Sequence, residues 1–116
     1  MIDLIICDDQ EVVCQGLKAI LGTAENLRVV GIANNGLEAL DLIGKHKPDV
    51  VLMDLKMPIM NGIHATKEIK EKYPDTKVLV LTTYDADAWL FDAIRNGADG
   101  YLLKDTSRET LINAIQ

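Results

Sequence analysis

The chain alternates, five times over, between a short apolar run and a stretch long enough to form a helix. The runs are residues 2–7, 28–33, 50–53, 77–81 and 100–103, rich in Val, Ile or Leu and nearly continuous. Short runs of that kind read as strands buried on both faces, the condition of a parallel sheet. Between them, apolar residues recur at spacings of three and four. Val13, Leu17, Ile20 and Leu21 mark the first helix; Leu37, Leu40 and Ile43 the second; Ile63, Ala65 and Ile69 the third. Ala86, Leu90, Ala93 and Ile94 mark the fourth, and Leu111, Ile112 and Ile115 the fifth.

A (βα)5 pattern of this kind predicts an α/β doubly wound parallel sheet with right-handed crossovers. Five such strands suit the flavodoxin-like order 2-1-3-4-5. Local punctuation agrees. Asn35 with Glu38, and Thr106 with Glu109, have the spacing of capping boxes before the second and fifth helices. Gly22 and Gly97 stand where helix ends favour a left-handed residue. Pro48 and Pro74 fall between helix and strand, where a missing N–H costs least.

The 116 residues make one domain, and a 48% hydrophobic content is enough for one buried core. A net charge of −6 argues against this segment gripping a phosphate backbone by itself. Cys7 and Cys14 form neither a CxxC pair nor a zinc cluster, so both are expected as buried free thiols. That suits a reducing cytoplasmic location. Asp3 and the pair Asp8-Asp9 interrupt the N-terminal apolar stretch, which therefore does not read as a signal peptide. No apolar run approaches the roughly 18 residues that span a bilayer, so no membrane partner is expected. At Gln116 the apolar face of the fifth helix is still running, as expected of a cut before a second domain. His46 and His64 lack ligand spacing, and the charged stretch 67–72 reads as a solvated helix face.

Function in an open α/β sheet gathers at the carboxyl ends of the strands. The first run ends in Cys7-Asp8-Asp9, the third in Met53-Asp54, the fourth in Leu81-Thr82-Thr83 and the fifth in Leu103-Lys104. Runs one and three are neighbours in the expected order, so Asp8, Asp9 and Asp54 converge. Two like charges about 4 Å apart cost roughly 4 kcal/mol at an effective dielectric near 20. Such a cluster must protonate, pair or hold a cation. Hard oxygen ligands favour Mg²⁺ over zinc, and Lys104 offsets part of the charge. One Asp at a strand end is more simply a cap or turn former. Three acids with Lys and Thr on four of five strand ends are not.

Asp8-Asp9, the segment Asp54-Leu55-Lys56-Met57-Pro58 with Gly62, Thr82, and Tyr101-Leu102-Leu103-Lys104 together resemble the response regulator receiver family. The resemblance covers the whole chain. The wording around Thr82-Thr83-Tyr84-Asp85 and Gly97-Ala98-Asp99-Gly100 is similar to the NarL/FixJ subfamily, whose members usually carry a C-terminal helix-turn-helix domain. DNA contact would then run through that domain, which is absent from this chain. The resemblance implies that Asp54 accepts a phosphoryl group from a sensor histidine kinase or small phosphodonor. It implies that Asp9 and Asp54, helped by Asp8 and the backbone carbonyl of Lys56, hold Mg²⁺. Thr82 and Lys104 would contact the phosphoryl oxygens, and Tyr101 would change rotamer with Thr82. Lys56 and Tyr84 would tune attack by water, with Tyr84 lengthening the phosphoryl lifetime. Such a chain catalyses only its own phosphorylation and dephosphorylation.

Physical reasoning supports these assignments. A carboxylate attacks phosphorus only when the phosphoryl group is held in line and its charge neutralised. Phosphorylation adds about −1.5 to −2 charges. Two hydrogen bonds to charged groups, at about 1.5–3 kcal/mol each, approach the roughly 5.5 kcal/mol needed to invert a 1:99 equilibrium. The remodelled face would be the fourth helix, fifth strand and fifth helix, controlling homodimerisation. Trp89 and Phe91 cannot both be buried on one narrow stripe, so they are candidates for core packing or for that interface. Asp105 follows Lys104 where many receivers place a cis proline; a non-proline cis bond costs about 2.5–4 kcal/mol and is not expected.

Three other readings compete. A haloacid dehalogenase-type phosphatase wants DxDx(T/V) after its first strand, and here the second Asp comes one place early. A flavin or nucleotide module wants a Gly- or Ser/Thr-rich loop, which Asp8-Asp9-Gln10-Glu11 is not. A pseudo-receiver would not need Asp54, Thr82 and Lys104 together.

Overall fold

The computed structural model describes residues 1–82 and 88–116. The elements run β1 Ile2–Cys7, α1 Glu11–Leu21, β2 Leu27–Ala33, α2 Gly36–His46, β3 Val50–Met53, α3 Gly62–Lys72, β4 Lys77–Thr82, α4 Ala88–Arg95, β5 Gly100–Leu103 and α5 Arg108–Ile115. The five strands form one parallel sheet in the order β2-β1-β3-β4-β5. The flavodoxin-like expectation therefore holds, with β2 and β4 each one residue longer than the apolar runs suggested.

Alternation along each strand divides the core in two. Ile5, Cys7, Val51, Met53, Val78 and Val80 face α2, α3 and α4, meeting Ile43, Ile69 and Leu90. Leu4, Ile6, Leu52 and Leu81 face α1 and α5, meeting Cys14, Leu21, Leu111, Ile112 and Ile115. Burying one Leu or Ile side chain contributes about 1.5–3 kcal/mol, so either layer alone is a large stabilising term. Both cysteines are free and buried, as expected. No helix among the described residues is long and apolar enough to cross a membrane.

Several local expectations need correction. Ile20, Leu37 and Ile94 are 37%, 48% and 44% exposed. Cys14 and Ala39, fully buried, take the inward positions instead. Which spaced positions face inward is set by how each helix is rotated against the sheet. Ala86 lies outside the described residues. Asn35 caps α2 by accepting from the Glu38 N–H, and the Glu38 carboxylate accepts from the Asn34 N–H. At α5 the cap is Ser107, which accepts from the Thr110 N–H, rather than Thr106. A turn closed by the Thr106 N–H to the Leu103 carbonyl uses Thr106 and moves the helix start by one. Gly97 has the left-handed φ expected of a helix stop, +107°. Gly22 does not; its φ of −66° is right-handed, and its N–H extends the helical bonding to Lys18. Lys47 (φ 47°) takes the left-handed position after α2. The stretch 67–72 is not wholly solvated, because the Lys70 ammonium is drawn against Asp99 at 3.0 Å. No cis peptide bond occurs among the described residues.

Candidate functional site

The ladder of backbone hydrogen bonds continues one step beyond the strands and sets the candidate residues side by side. The Asp8 N–H donates to Ala33 at 3.0 Å, the Asp54 N–H to Cys7 at 2.9 Å and the Lys104 N–H to Thr82 at 2.8 Å. Each bond registers the first residue past one strand against its neighbour. Asp8, Asp54, Thr82 and Lys104 therefore share the carboxyl rim of β1, β3, β4 and β5.

Side chains complete the arrangement. Carboxylate oxygens of Asp8, Asp9 and Asp54 lie within 4.8 Å of one another. Lys104 Nζ bridges two of them, 3.0 Å from Asp8 Oδ2 and 3.1 Å from Asp54 Oδ1. Asp8 is buried at 3% exposure, and its other oxygen accepts from the Gln10 N–H at 2.9 Å. Asp8 is thus both the turn former of the simpler reading and a member of the acid cluster. Asp9 is exposed, Asp54 half-buried and Thr82 buried.

The electrostatics are unbalanced. Burial, then the charge of Asp8, pushes the Asp54 carboxyl above the ordinary value; Lys104 only partly opposes this. Burial pulls the Lys104 ammonium down. The hydrogen bond to Asp8 and the charges of Asp54 and Asp8 outweigh that and raise it. Burial, followed by the same two acids, pushes the Cys7 thiol far up, so it is no thiolate ligand. The oxygen donors alone suit a hard divalent cation such as Mg²⁺, and the surplus negative charge is what such an ion relieves.

The loop after β3 is held tightly. The Gly62 N–H donates to Leu55 at 2.8 Å, and a Cβ at Gly62 would fall on the Asp54 carbonyl oxygen. Only glycine lets the backbones approach this closely. Lys56 projects outward, its ammonium over the Trp89 ring. Tyr101 is 46% and Phe91 54% exposed, whereas Trp89 is half-buried against the α2–α4 side of the core. Core packing thus accounts for much of Trp89, and Phe91 is the aromatic that faces outward. Tyr84 lies outside the described residues.

Two supporting contacts escaped the sequence reading. Asn34 Nδ2 donates to the Asp8 carbonyl at 3.1 Å, and Met57 Sδ packs at 3.5 Å on Cys7 Sγ beneath the acids. Neither has a periodic signal; each is recognisable only once β1 lies between β2 and β3.

Residues 4–116 match the response regulator receiver domain. The chain is 45% identical over 115 residues to the transcriptional regulatory protein LnrK of Bacillus subtilis, covering 99% of this chain and 52% of that protein. It is 45% identical over 114 residues to the oxygen regulatory protein NreC of Staphylococcus carnosus, covering 97% and 52%. A LuxR-family DNA-binding response regulator from Staphylococcus aureus superposes with a TM-score of 0.90 at 32% identity, over 99% of this chain and 98% of that one. The chain spans about half the length of these curated relatives. With that likeness over nearly every residue, the chain belongs to the response regulator receiver domain family, among relatives of the NarL/LuxR type.

Proposed function

We propose that the rim is a phosphorylation switch in which Asp54 accepts the phosphoryl group. The observation that carries this reading is the double contact of Lys104 with Asp8 and Asp54 beside a third carboxylate. A raised Asp54 carboxyl is poorly satisfied as it stands, so charge neutralisation at the rim changes it most. Asp9, Asp54 and the Lys56 carbonyl would hold Mg²⁺, with Asp8 ordering its water or binding as well. When bound, Mg²⁺ supplies the positive charge that holds phosphoryl oxygens in line.

The chain's own groups do the rest. An Asp54 oxygen attacks the phosphorus of a sensor kinase's phosphohistidine or a small phosphodonor, and the bond to the donor breaks. Lys104 exchanges its Asp54 contact for a phosphoryl oxygen, and Thr82 donates its hydroxyl to another. Movement of Thr82 lets the exposed Tyr101 turn inward. The surface of α4, β5 and α5, with Phe91 on α4, is thereby remodelled to control homodimerisation and, through a C-terminal helix-turn-helix domain, DNA binding. Lys56 and Tyr84 set the rate at which water removes the group.

Incubation with acetyl phosphate and Mg²⁺, followed by intact-mass measurement, tests the proposal. One added phosphoryl group is expected, not gained when EDTA is present during the incubation and not gained by Asp54→Asn. A phosphoryl group retained by Asp54→Asn would overturn it.

A further inference from the structure

The loop after β3 leaves Asp54 and reaches α3 past two pinned points. The Gly62 N–H donates to the Leu55 carbonyl at 2.8 Å, and the Gly36 N–H, at the start of α2, donates to the Met60 carbonyl at 2.9 Å. A side chain at Gly36 would collide with Met60, so helix and loop meet closely there. Next to this contact the Met60 N–H turns back onto the Pro58 carbonyl at 2.7 Å, with Ile59 between them at φ +68°. A bond closed across one residue at such a φ has the form of the rare, strained γ-turn.

A β-branched residue is poorly suited to that turn, because at positive φ its Cβ crowds the backbone carbonyl. Burial does not offset the cost, since Ile59 is 78% exposed. Strain of this kind persists only where the surroundings impose it. Here the imposing contact is the Gly36–Met60 bond. Asp54 is held differently. Its N–H joins the sheet ladder at Cys7, 2.9 Å away, and the next residues are anchored by Leu55 and Met57, buried at 3% and 8% exposure. The segment after Asp54 therefore has a fixed first half and a strained second half.

We infer that this second half is a strap held shut under strain, which opens by itself while the sheet stays folded. On opening, the Gly36–Met60 and Met60–Pro58 bonds part, Ile59 returns to a negative φ, and Asp54 keeps its place. The loop beside Asp54 can then change shape without disturbing the residue it follows. The inference goes beyond the reading of the rim as a phosphorylation switch and does not need Mg²⁺.

Amide hydrogen exchange of the chain, read residue by residue by NMR without added metal, tests this. In the wild type the Gly36 amide should be less protected than the Asp54 amide, because the strap opens locally. Ile59→Asn places a residue that tolerates the left-handed region and should raise Gly36 protection about five- to thirty-fold. Ile59→Gly should raise it too, but by less, since glycine regains more freedom in the open loop. Ile59→Val keeps the branch at Cβ and should leave it at the wild-type level. Gly36 protected as strongly as Asp54, no gain in Ile59→Asn, a loss in Ile59→Gly, or a gain in Ile59→Val equal to that in Ile59→Asn would each overturn the inference. None of these outcomes bears on whether Asp54 accepts a phosphoryl group, which the mass measurement decides separately.

Discussion

Two lysine–aspartate contacts sit at opposite ends of the same sheet, and they differ in sign. At the amino ends of β4 and β5, Lys70 meets Asp99 at 3.0 Å and also donates to the carbonyls of Pro74 and Thr76. Asp99 in turn accepts from the Val78 N–H at 2.8 Å. Burial pushes the Asp99 carboxyl up, but the Val78 amide and Lys70 outweigh it and hold the carboxyl below its ordinary value. At the carboxyl ends, Lys104 meets Asp8 and Asp54 at similar distances, yet Asp54 is raised. The distances do not distinguish the pairs; the surplus of acids does. The closed cluster holds the loops before β4 and β5, while the open one keeps a surplus of negative charge that Lys104 only partly offsets.

Removing each lysine is the strongest way to break the comparison. Lys104→Met leaves the buried Asp8 carboxylate without its cation. It should destabilise Mg²⁺-free protein by about 1–3 kcal/mol in urea unfolding, with much of the loss recovered by Mg²⁺. If added Mg²⁺ restored nothing, the view of the rim as a cation-deficient site would be wrong.

Asp54→Asn should act in the opposite direction. It relieves a like-charge contact worth roughly 4 kcal/mol at 4 Å, less the attraction to Lys104 that it also weakens, a net gain on the order of 1 kcal/mol without Mg²⁺. A lowered urea midpoint would contradict the imbalance described for the rim. Lys70→Met should cost less than Lys104→Met, about 0.5–1 kcal/mol, because Asp99 keeps its amide partner. That loss should not respond to Mg²⁺, and a Mg²⁺-dependent recovery would erase the distinction between the two ends.

The pH dependence is the finest test. Asp54 is raised in the fold, so it binds its proton more tightly there than when unfolded. Its destabilising effect is absent well below the ordinary 3.8 and develops as pH rises through its folded value. The gain from Asp54→Asn should therefore appear with rising pH. Asp99 is lowered, so its contribution is present above 3.8 and lost as pH falls through its folded value. The cost of Asp99→Asn should fade on acidification. Two pH–stability differences of the same sign would refute the contrast.

Much of the rim was legible in the chain itself. Asp8, Asp54, Thr82 and Lys104 each follow an apolar run directly, and parallel pairing necessarily brings such positions to one edge. Core and cap details were less legible. Ile20 satisfies helical spacing but turns outward while Cys14 turns in, because the inward direction depends on how α1 is rotated against the sheet. Ser107 displaces Thr106 as a cap because the preceding turn consumes a residue. Trp89 and Phe91, two residues apart on α4, separate into one half-buried and one exposed ring, a choice made by neighbouring elements.

By itself the sequence determined the parallel five-stranded order, the edge at which the chemistry gathers and the residue types that gather there. These follow from period, chain order and the handedness of crossovers, which are local or topological. Only the tertiary structure decided that Lys104 bridges Asp8 and Asp54, that Lys70 leaves the helix surface for Asp99, and that Lys56 lies over Trp89. Those contacts join residues from 29 to 96 positions apart for the hydrogen-bonded pairs. Their strength depends on burial and on every other charge nearby, which no window of sequence contains.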